Sequence, residues 1–179
     1  MGLMDVLGRY AQSPSGAAPQ AHADFEQVAR EAPRDMLGNG LADAFRSEAT
    51  PPFEQMVGQL FGNSDPHQRA GLLNEVLGSL GRSAAGGGLG GGGLGGALSG
   101  GVLGGLLRHA AAGRQITPQD AQDVPTSEVE DAAREAARAN PSIIDRVSQF
   151  YAQHPQLVQG LGQAALAVAM SSMARRRNV

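Results

Sequence analysis

The sequence predicts an all-α protein in which short helices form two small modules joined by a Gly/Leu-rich tract. Apolar residues recur at spacings of three and four, which places them on one face of a helix. Capping residues and prolines stand where several of these segments begin, as is common at helix starts. No segment alternates convincingly between apolar and polar residues as a strand would. The predicted order is a short apolar segment with a flexible linker (1–23), a helical module (24–81), the tract (82–114) and a second helical module (115–179).

The first residues predict a short helix followed by a linker. The apolar face of that helix consists of Leu3, Val6, Leu7 and Tyr10. Residues 11–23 are rich in Ala, Ser, Pro, Gly and Gln, a composition typical of flexible linkers.

The first module is predicted to contain four short helices. Asp24 can cap a helix over Phe25–Ala32, because its side chain can accept hydrogen bonds from free backbone N–H groups. The next helix, over Met36–Ser47, contains Gly38-Asn39-Gly40. Since glycine is a poor helix former, these residues predict a break or a bend.

The other two helices of this module have clear start signals. Thr50-Pro51-Pro52 precedes a helix over Phe53–Phe61, because proline is favoured in the first turn. Asp65-Pro66 begins the fourth helix, and Gln68 is placed to complete a capping box. The apolar face of the fourth helix consists of Leu72, Leu73, Val76, Leu77 and Leu80.

In the second module, three sequence signals predict helix starts. They are Thr117-Pro118, Ser127-x-x-Glu130 and Asn140-Pro141. The third of these helices has an apolar face made of Ile143, Ile144, Val147, Phe150 and Tyr151. His154-Pro155 ends it, and a final helix is predicted from about Gln156 to Ala174.

The Gly/Leu-rich tract is the most unusual part of the chain. Between Arg82 and Arg108 lie 25 residues without a charge, and 13 of them are glycine. Glycines recur every fourth residue beside a parallel aliphatic row. The predicted helix-packing residues are Gly88, Gly92, Gly96, Gly100, Gly104, Leu94, Leu98 and Leu106.

Three interpretations of the tract remain open. As a helix it would be about 37 Å long, enough for a bilayer, and its small residues would let helices approach closely. Each glycine, however, costs a helix about 1 kcal/mol relative to alanine, which favours a flexible linker in water. The alternatives are therefore a flexible linker, a membrane-associated or helix-packing zipper, and another form of glycine-rich packing.

The C-terminal segment also has two interpretations. Leu157–Ala174 is uncharged and is followed by Arg175, Arg176 and Arg177. An apolar helix with a basic end predicts contact with a membrane surface or another anion. The same pattern is typical of a buried packing helix whose arginines are solvated and complement the helix dipole.

Composition excludes several classes of chemistry. The chain has no lysine and no cysteine, so it has no P-loop lysine, Schiff base, thiolate nucleophile or disulfide. A net charge of −3 argues against a non-specific nucleic-acid binder. The four histidines lack metal-ligand spacing, and no paired carboxylates suggest acid–base work. We expect no catalytic residues, metal or cofactor.

The opening Met1-Gly-Leu-Met-Asp-Val-Leu-Gly, with Gly/Leu-rich sequence later in the chain, resembles YidB-like bacterial proteins. That family is small, glycine-rich and of unknown function. The resemblance implies a bacterial cytoplasmic origin and adds no catalytic residues.

The functional expectation is a non-enzymatic protein that self-associates or acts as a scaffold. The apolar faces at residues 72–80 and 143–151 are expected to need partners, which predicts a homo-oligomer. The alternative is a membrane-active protein that uses the tract and the C-terminal helix as a glycine-zipper pair. We expect a cytoplasmic location, with attachment to the periphery of the inner membrane as the alternative.

Overall fold

The computed structural model describes residues 2–12, 20–85, 101–158 and 160–177. Within these ranges the chain forms eleven helices and no strand, which confirms the predicted all-α fold. In chain order they are α1 (Leu3–Gln12), α2 (Ala21–Glu31), α3 (Arg34–Phe45), α4 (Phe53–Asn63), α5 (Pro66–Ala85), α6 (Val102–Ala111), α7 (Pro118–Gln122), α8 (Thr126–Ala139), α9 (Ile143–Ala152), α10 (Pro155–Val158) and α11 (Gln163–Arg177).

The helices form two compact units whose boundaries differ from the predicted modules. Unit 1 combines Met1–Pro52 with Ser148–Val179, and unit 2 is Phe53–Val147. The predicted module 24–81 is thereby divided between α3 and α4. The physical reason is that helices far apart in sequence pack together, α11 against α3 in unit 1 and α8 against α4 in unit 2.

In unit 1, α11 is the central helix and contacts α1, α2 and α3. Its buried apolar residues lie on all sides of the helix, as expected of a helix inside a core. They are Ala165, Leu166, Ala167, Ala169, Met170, Met173 and Ala174. The final helix was predicted to run without a break, but the structure divides it at Gly160-Leu161-Gly162 into α10 and α11.

The predicted break in α3 is wrong. The helix passes through Gly38-Asn39-Gly40 without interruption. A Cβ atom on Gly40 would lie 2.6 Å from Met173 Cγ and 2.9 Å from the Ala169 carbonyl oxygen. The glycine therefore serves close packing of α3 against α11, and this packing overrides its low helix propensity.

The N-terminal helix confirms its predicted face, since Val6, Leu7 and Tyr10 are all buried. Of the predicted linker 11–23, residues 11–12 and 21–23 are helical, while residues 13–19 lie outside the described residues. Asp24 is not a cap but lies inside the first turn of α2. Its carboxylate accepts hydrogen bonds from the Tyr10 hydroxyl and the Arg9 guanidinium, each at 2.9 Å.

In unit 2, α5 follows the sequence prediction closely. Asp65 and Gln68 cap its start reciprocally, with two hydrogen bonds of 2.9 Å. α6, α7 and α8 all contact α5. The five predicted core residues are buried, namely Leu72, Leu73, Val76, Leu77 and Leu80. This apolar face therefore has partners within its own chain.

The predicted starts of α7 and α8 have different outcomes. Thr117 caps α7, and Asp120 accepts a hydrogen bond from the Thr117 backbone N–H in return. For α8, the residue before the helix is Pro125, so Ser127 lies within the first turn and is not its cap. The backbone of Pro125 is extended and precedes the first helical residue, so this helix begins two residues earlier than the Ser/Glu pattern indicates.

The helices that flank the tract belong to the same unit. α5 continues to Ala85, α6 begins at Val102, and the two helices pack together. A Cβ atom on Gly81 of α5 would lie 3.4 Å from the Ala111 Cα atom of α6. Both described ends of the tract therefore belong to unit 2, and residues 102–107 are helical, whereas the glycine content favours a linker in water.

Candidate functional site

The predicted packing residues of the tract fall into two groups. Gly88, Gly92, Gly96, Gly100, Leu94 and Leu98 lie outside the residues that the structure describes. Gly104 and Leu106 lie on the buried face of α6, together with Leu103. These last residues contribute to the core of unit 2.

Glu128 fixes the start of α6, near the C-terminal end of the Gly/Leu-rich tract. This side chain of α8 accepts a hydrogen bond of 2.9 Å from the Leu103 N–H and so caps α6. Gly101, the residue before α6, has a φ of 83°, which L residues rarely adopt. A Cβ atom there would lie 2.5 Å from the Glu128 Oε1 atom. No local motif indicates this contact, because Glu128 is one of several charged residues on α8.

Few large apolar side chains remain exposed in the described part of the chain. They are Met4 on α1, with 59% of its surface exposed, and Val102 on α6, with 40%. Val102 directly follows Gly101 in the sequence. Among the described residues of unit 2, the exposed large apolar side chain thus lies in the tract itself, at the start of α6.

The C-terminal arginines have different environments. Arg176 binds both carboxylate oxygens of Asp43, each at 2.9 Å, and the Ser172 hydroxyl also donates to this carboxylate. Arg175 donates to the Ser171 hydroxyl at 3.0 Å. The side chain of Arg177 lies outside the described residues. The helix that ends in these arginines is the buried centre of unit 1, so its insertion into a bilayer would require unit 1 to open.

The described ranges contain eleven helices. None of these helices combines the length and the apolar character that a span requires.

The Asp43 carboxyl has a shifted pKa. Burial alone would raise it, but hydrogen bonds from Arg176 and Ser172 and the positive charges of Arg176 and Arg46 outweigh burial and hold the pKa below its ordinary value of 3.8. The lowered pKa means that the charged carboxylate stabilises the folded chain at neutral pH. That stability is lost as the pH falls below 3.8 and through the folded-state pKa.

We predict that Asp43→Asn destabilises unit 1 near neutral pH and that the difference from wild type disappears in acid. The expected loss is about 1 kcal/mol, since Asp43 and Arg176 form a partly exposed pair. Urea unfolding at several pH values measures it. Glu48→Gln, which removes an exposed carboxylate nearby in sequence, is the control and should have little effect. A pH-independent loss in Asp43→Asn would contradict the assigned role of the charge.

Among the grooves on the described surface of unit 1, two are open and are lined mainly by polar residues. One, of about 270 Å³, is lined by Glu26, Ala29, Arg30, Pro155 and Gln156. The other, of about 330 Å³, is lined by Arg34, Asp35, Gln149 and Gln153. In the first groove Arg30 is paired with Glu26 at 3.2 Å. The lining consists mainly of charged and amide side chains at the surface.

The side chains that could carry acid–base chemistry have structural partners. Burial, with the hydrogen bond and charge of Asp24, raises the pKa of the Tyr10 hydroxyl well above its ordinary value. Arg134 of α8 binds Glu54 of α4 at 3.2 Å. The His154 ring donates from Nδ1 to the Phe150 carbonyl at the end of α9. Across the described ranges, no three His, Cys, Asp or Glu side chains are grouped to hold a metal ion.

Comparisons of this chain with protein-family models, with curated proteins and with solved structures find no match.

Proposed function

We propose that this chain is a non-enzymatic protein that self-associates through its Gly/Leu-rich tract and so acts as a scaffold. One observation carries the proposal. Residues 86–101 of the tract are uncharged and connect two packed helices of one unit, while the apolar face of α5 is already covered within the chain. The tract, and not the apolar face of α5, is therefore the part of the sequence best suited to bind a second copy of the chain.

The composition of the tract supports association. It contains six leucines and no charge between Arg82 and Arg108. Transferring each leucine side chain from water into an apolar contact is worth about 2 kcal/mol. The glycines between them allow backbones to approach closely, as they do in small-residue helix pairs. Copies that contact one another through this segment would bury Leu89, Leu94 and Leu98, since Leu103 and Leu106 are already buried in unit 2.

The non-enzymatic part of the proposal has separate support. Without lysine or cysteine, the chain would rely on carboxylates, histidines and hydroxyls for chemistry. Asp24, Asp43 and Glu128 each bind donors within the fold. These carboxylates stabilise helix packing or a helix end, which accounts for their positions without a substrate.

Light scattering of the full chain over a range of concentrations tests the proposal. We expect wild type to form oligomers and the triple variant Leu89→Ser, Leu94→Ser and Leu98→Ser to be smaller, because the glycines stay but the aliphatic row is lost. Met4→Ser, which removes the exposed apolar side chain of unit 1, is the control and should associate as wild type does. A monomeric wild type, or a triple variant that still associates fully, would overturn the proposal.

A second variant separates close helix packing from other forms of association. Gly92→Ala, Gly96→Ala and Gly100→Ala together add three methyl groups with little change in hydropathy. If the tract packs as a zipper, association should be lost because the backbones can no longer approach closely. Gly105→Ala is the matched control, since a Cβ atom at this position of α6 meets open space. Unchanged association in the triple alanine variant would exclude the zipper.

A further inference from the structure

The ends of α3 and α11 place several arginines at one end of unit 1. Gly40 lies against Ala169 and Met173, and Asp43 lies against Ser172 and Arg176. Later residues of α3 thus meet later residues of α11, so the two helices run in the same direction. Their C-terminal ends lie together.

We define the arginine cluster as the four arginines at these two helix ends. Arg46 directly follows α3 and its charge acts on Asp43, while the other three form the last turn of α11. The members are Arg46, Arg175, Arg176 and Arg177. Arg46 and Arg175 are exposed, and the Arg176 side chain is 55% exposed although it binds Asp43.

The cluster gives unit 1 an uneven charge distribution. The two segments of unit 1 contain seven arginines and seven carboxylates, so the unit has no net side-chain charge. Four of the seven arginines belong to the cluster, whereas the acidic residues near it along the chain are Asp43 and Glu48. After Asp145 the sequence contains no acidic residue at all. Each helix end adds about half a negative charge, which does not cancel the excess of two arginines.

We propose that the arginine cluster binds the phosphate groups of an anionic bilayer surface while α11 stays packed in unit 1. Guanidinium groups pair well with phosphate oxygens, and a cluster of four is at the lower limit of what anionic membranes recruit. Arg175 donates to a neutral hydroxyl, so its charge is available to such a surface. Binding by charge alone requires no apolar insertion, which agrees with the burial of α11.

Flotation with vesicles tests this surface. The probes are phosphatidylcholine vesicles with and without phosphatidylglycerol. We expect the full chain to float only with the anionic vesicles and to be released by high salt, because the interaction is electrostatic and screened. Failure to float with the anionic vesicles would overturn the proposal. Light scattering of the protein without vesicles measures self-association, so that a failure to self-associate and a failure to bind vesicles are distinguished.

The double variant Arg46→Gln with Arg175→Gln should lower the partition coefficient for anionic vesicles roughly 30-fold. This follows because each arginine near an anionic surface contributes about 1 kcal/mol to binding. Arg176 is left in place because it holds Asp43. The control Arg30→Gln with Arg34→Gln removes the same charge, and Arg34 lies at the opposite end of α3. Thermal unfolding followed by circular dichroism checks that both variants are folded. Equal losses in the two variants, or no loss in the first, would overturn the proposal.

Two further measurements exclude other modes of binding. Sodium phosphate should release the protein no better than sodium chloride at equal ionic strength, and much stronger release by phosphate would show a discrete phosphate site instead of a surface contact. Amide exchange of α11 should stay slow on vesicles. Loss of this protection on binding would show that the helix inserts, and the surface proposal would then be wrong.

Discussion

Leu73→Asp should unfold unit 2 and should not convert an oligomer into a folded monomer. Leu73 is fully buried on α5, among the apolar residues that pack within the unit. Removing the side chain costs about 3 kcal/mol, and an unpaired carboxylate in its place adds several more. The expected total is at least about 5 kcal/mol, which is comparable with the whole stability of a small domain. Amide exchange in α5 should approach the rate of an unfolded chain.

Val102→Asp is the matched control for this substitution. Val102 belongs to the same unit and is 40% exposed, so its replacement should change the free energy of unfolding by less than about 1 kcal/mol. The sequence alone suggested that residues 72–80 form an interface with another copy. A folded but smaller particle in Leu73→Asp would restore that view and contradict the intramolecular packing of α5.

Local sequence signals predicted α5 well because its start and its apolar face depend on residues that are close in sequence. Asp65 and Gln68 are three residues apart and satisfy each other's backbone N–H groups. The same holds for Thr117 and Asp120 at α7. Features of this kind need no knowledge of which helices are neighbours.

Contacts between distant segments could not be predicted in this way. Asp43 and Arg176 are 133 residues apart, and the sequence offered no reason to pair them. Asp24 has the residue type of a cap, but Tyr10 and Arg9 of another helix determine its role. Glu128 caps α6 from α8, so the anchor of the tract depends on tertiary packing and not on a local motif.

Glycine is the residue type whose effect on these helices is hardest to predict from sequence, because it serves opposite purposes. Glycine weakens an isolated helix, yet it is the only residue that lets two helix backbones come very close. At Gly38-Asn39-Gly40 the first property predicted a break, while the structure shows the second. The same ambiguity left the interpretation of the Gly/Leu-rich tract open.

Gly40→Ala distinguishes these two roles directly and should destabilise unit 1 by about 2–3 kcal/mol, as overpacked core sites do. The new Cβ atom would lie 2.6 Å from Met173 Cγ and 2.9 Å from the Ala169 carbonyl oxygen. A side chain can move aside, but a backbone carbonyl in a central helix cannot do so without separating α3 from α11. Adding Met173→Ala should therefore relieve only part of the loss in urea unfolding.

Gly8→Ala in α1 provides the control, since a Cβ atom there meets nothing within 4 Å. Both substitutions replace a helical glycine in unit 1 and gain about 1 kcal/mol of helix propensity. Only Gly40 must also accommodate a neighbouring backbone, so the two variants should change stability in opposite directions. If Gly40→Ala stabilised the chain as Gly8→Ala does, the helices would not be in close contact at this point. The glycine would then only lower the helix propensity of α3.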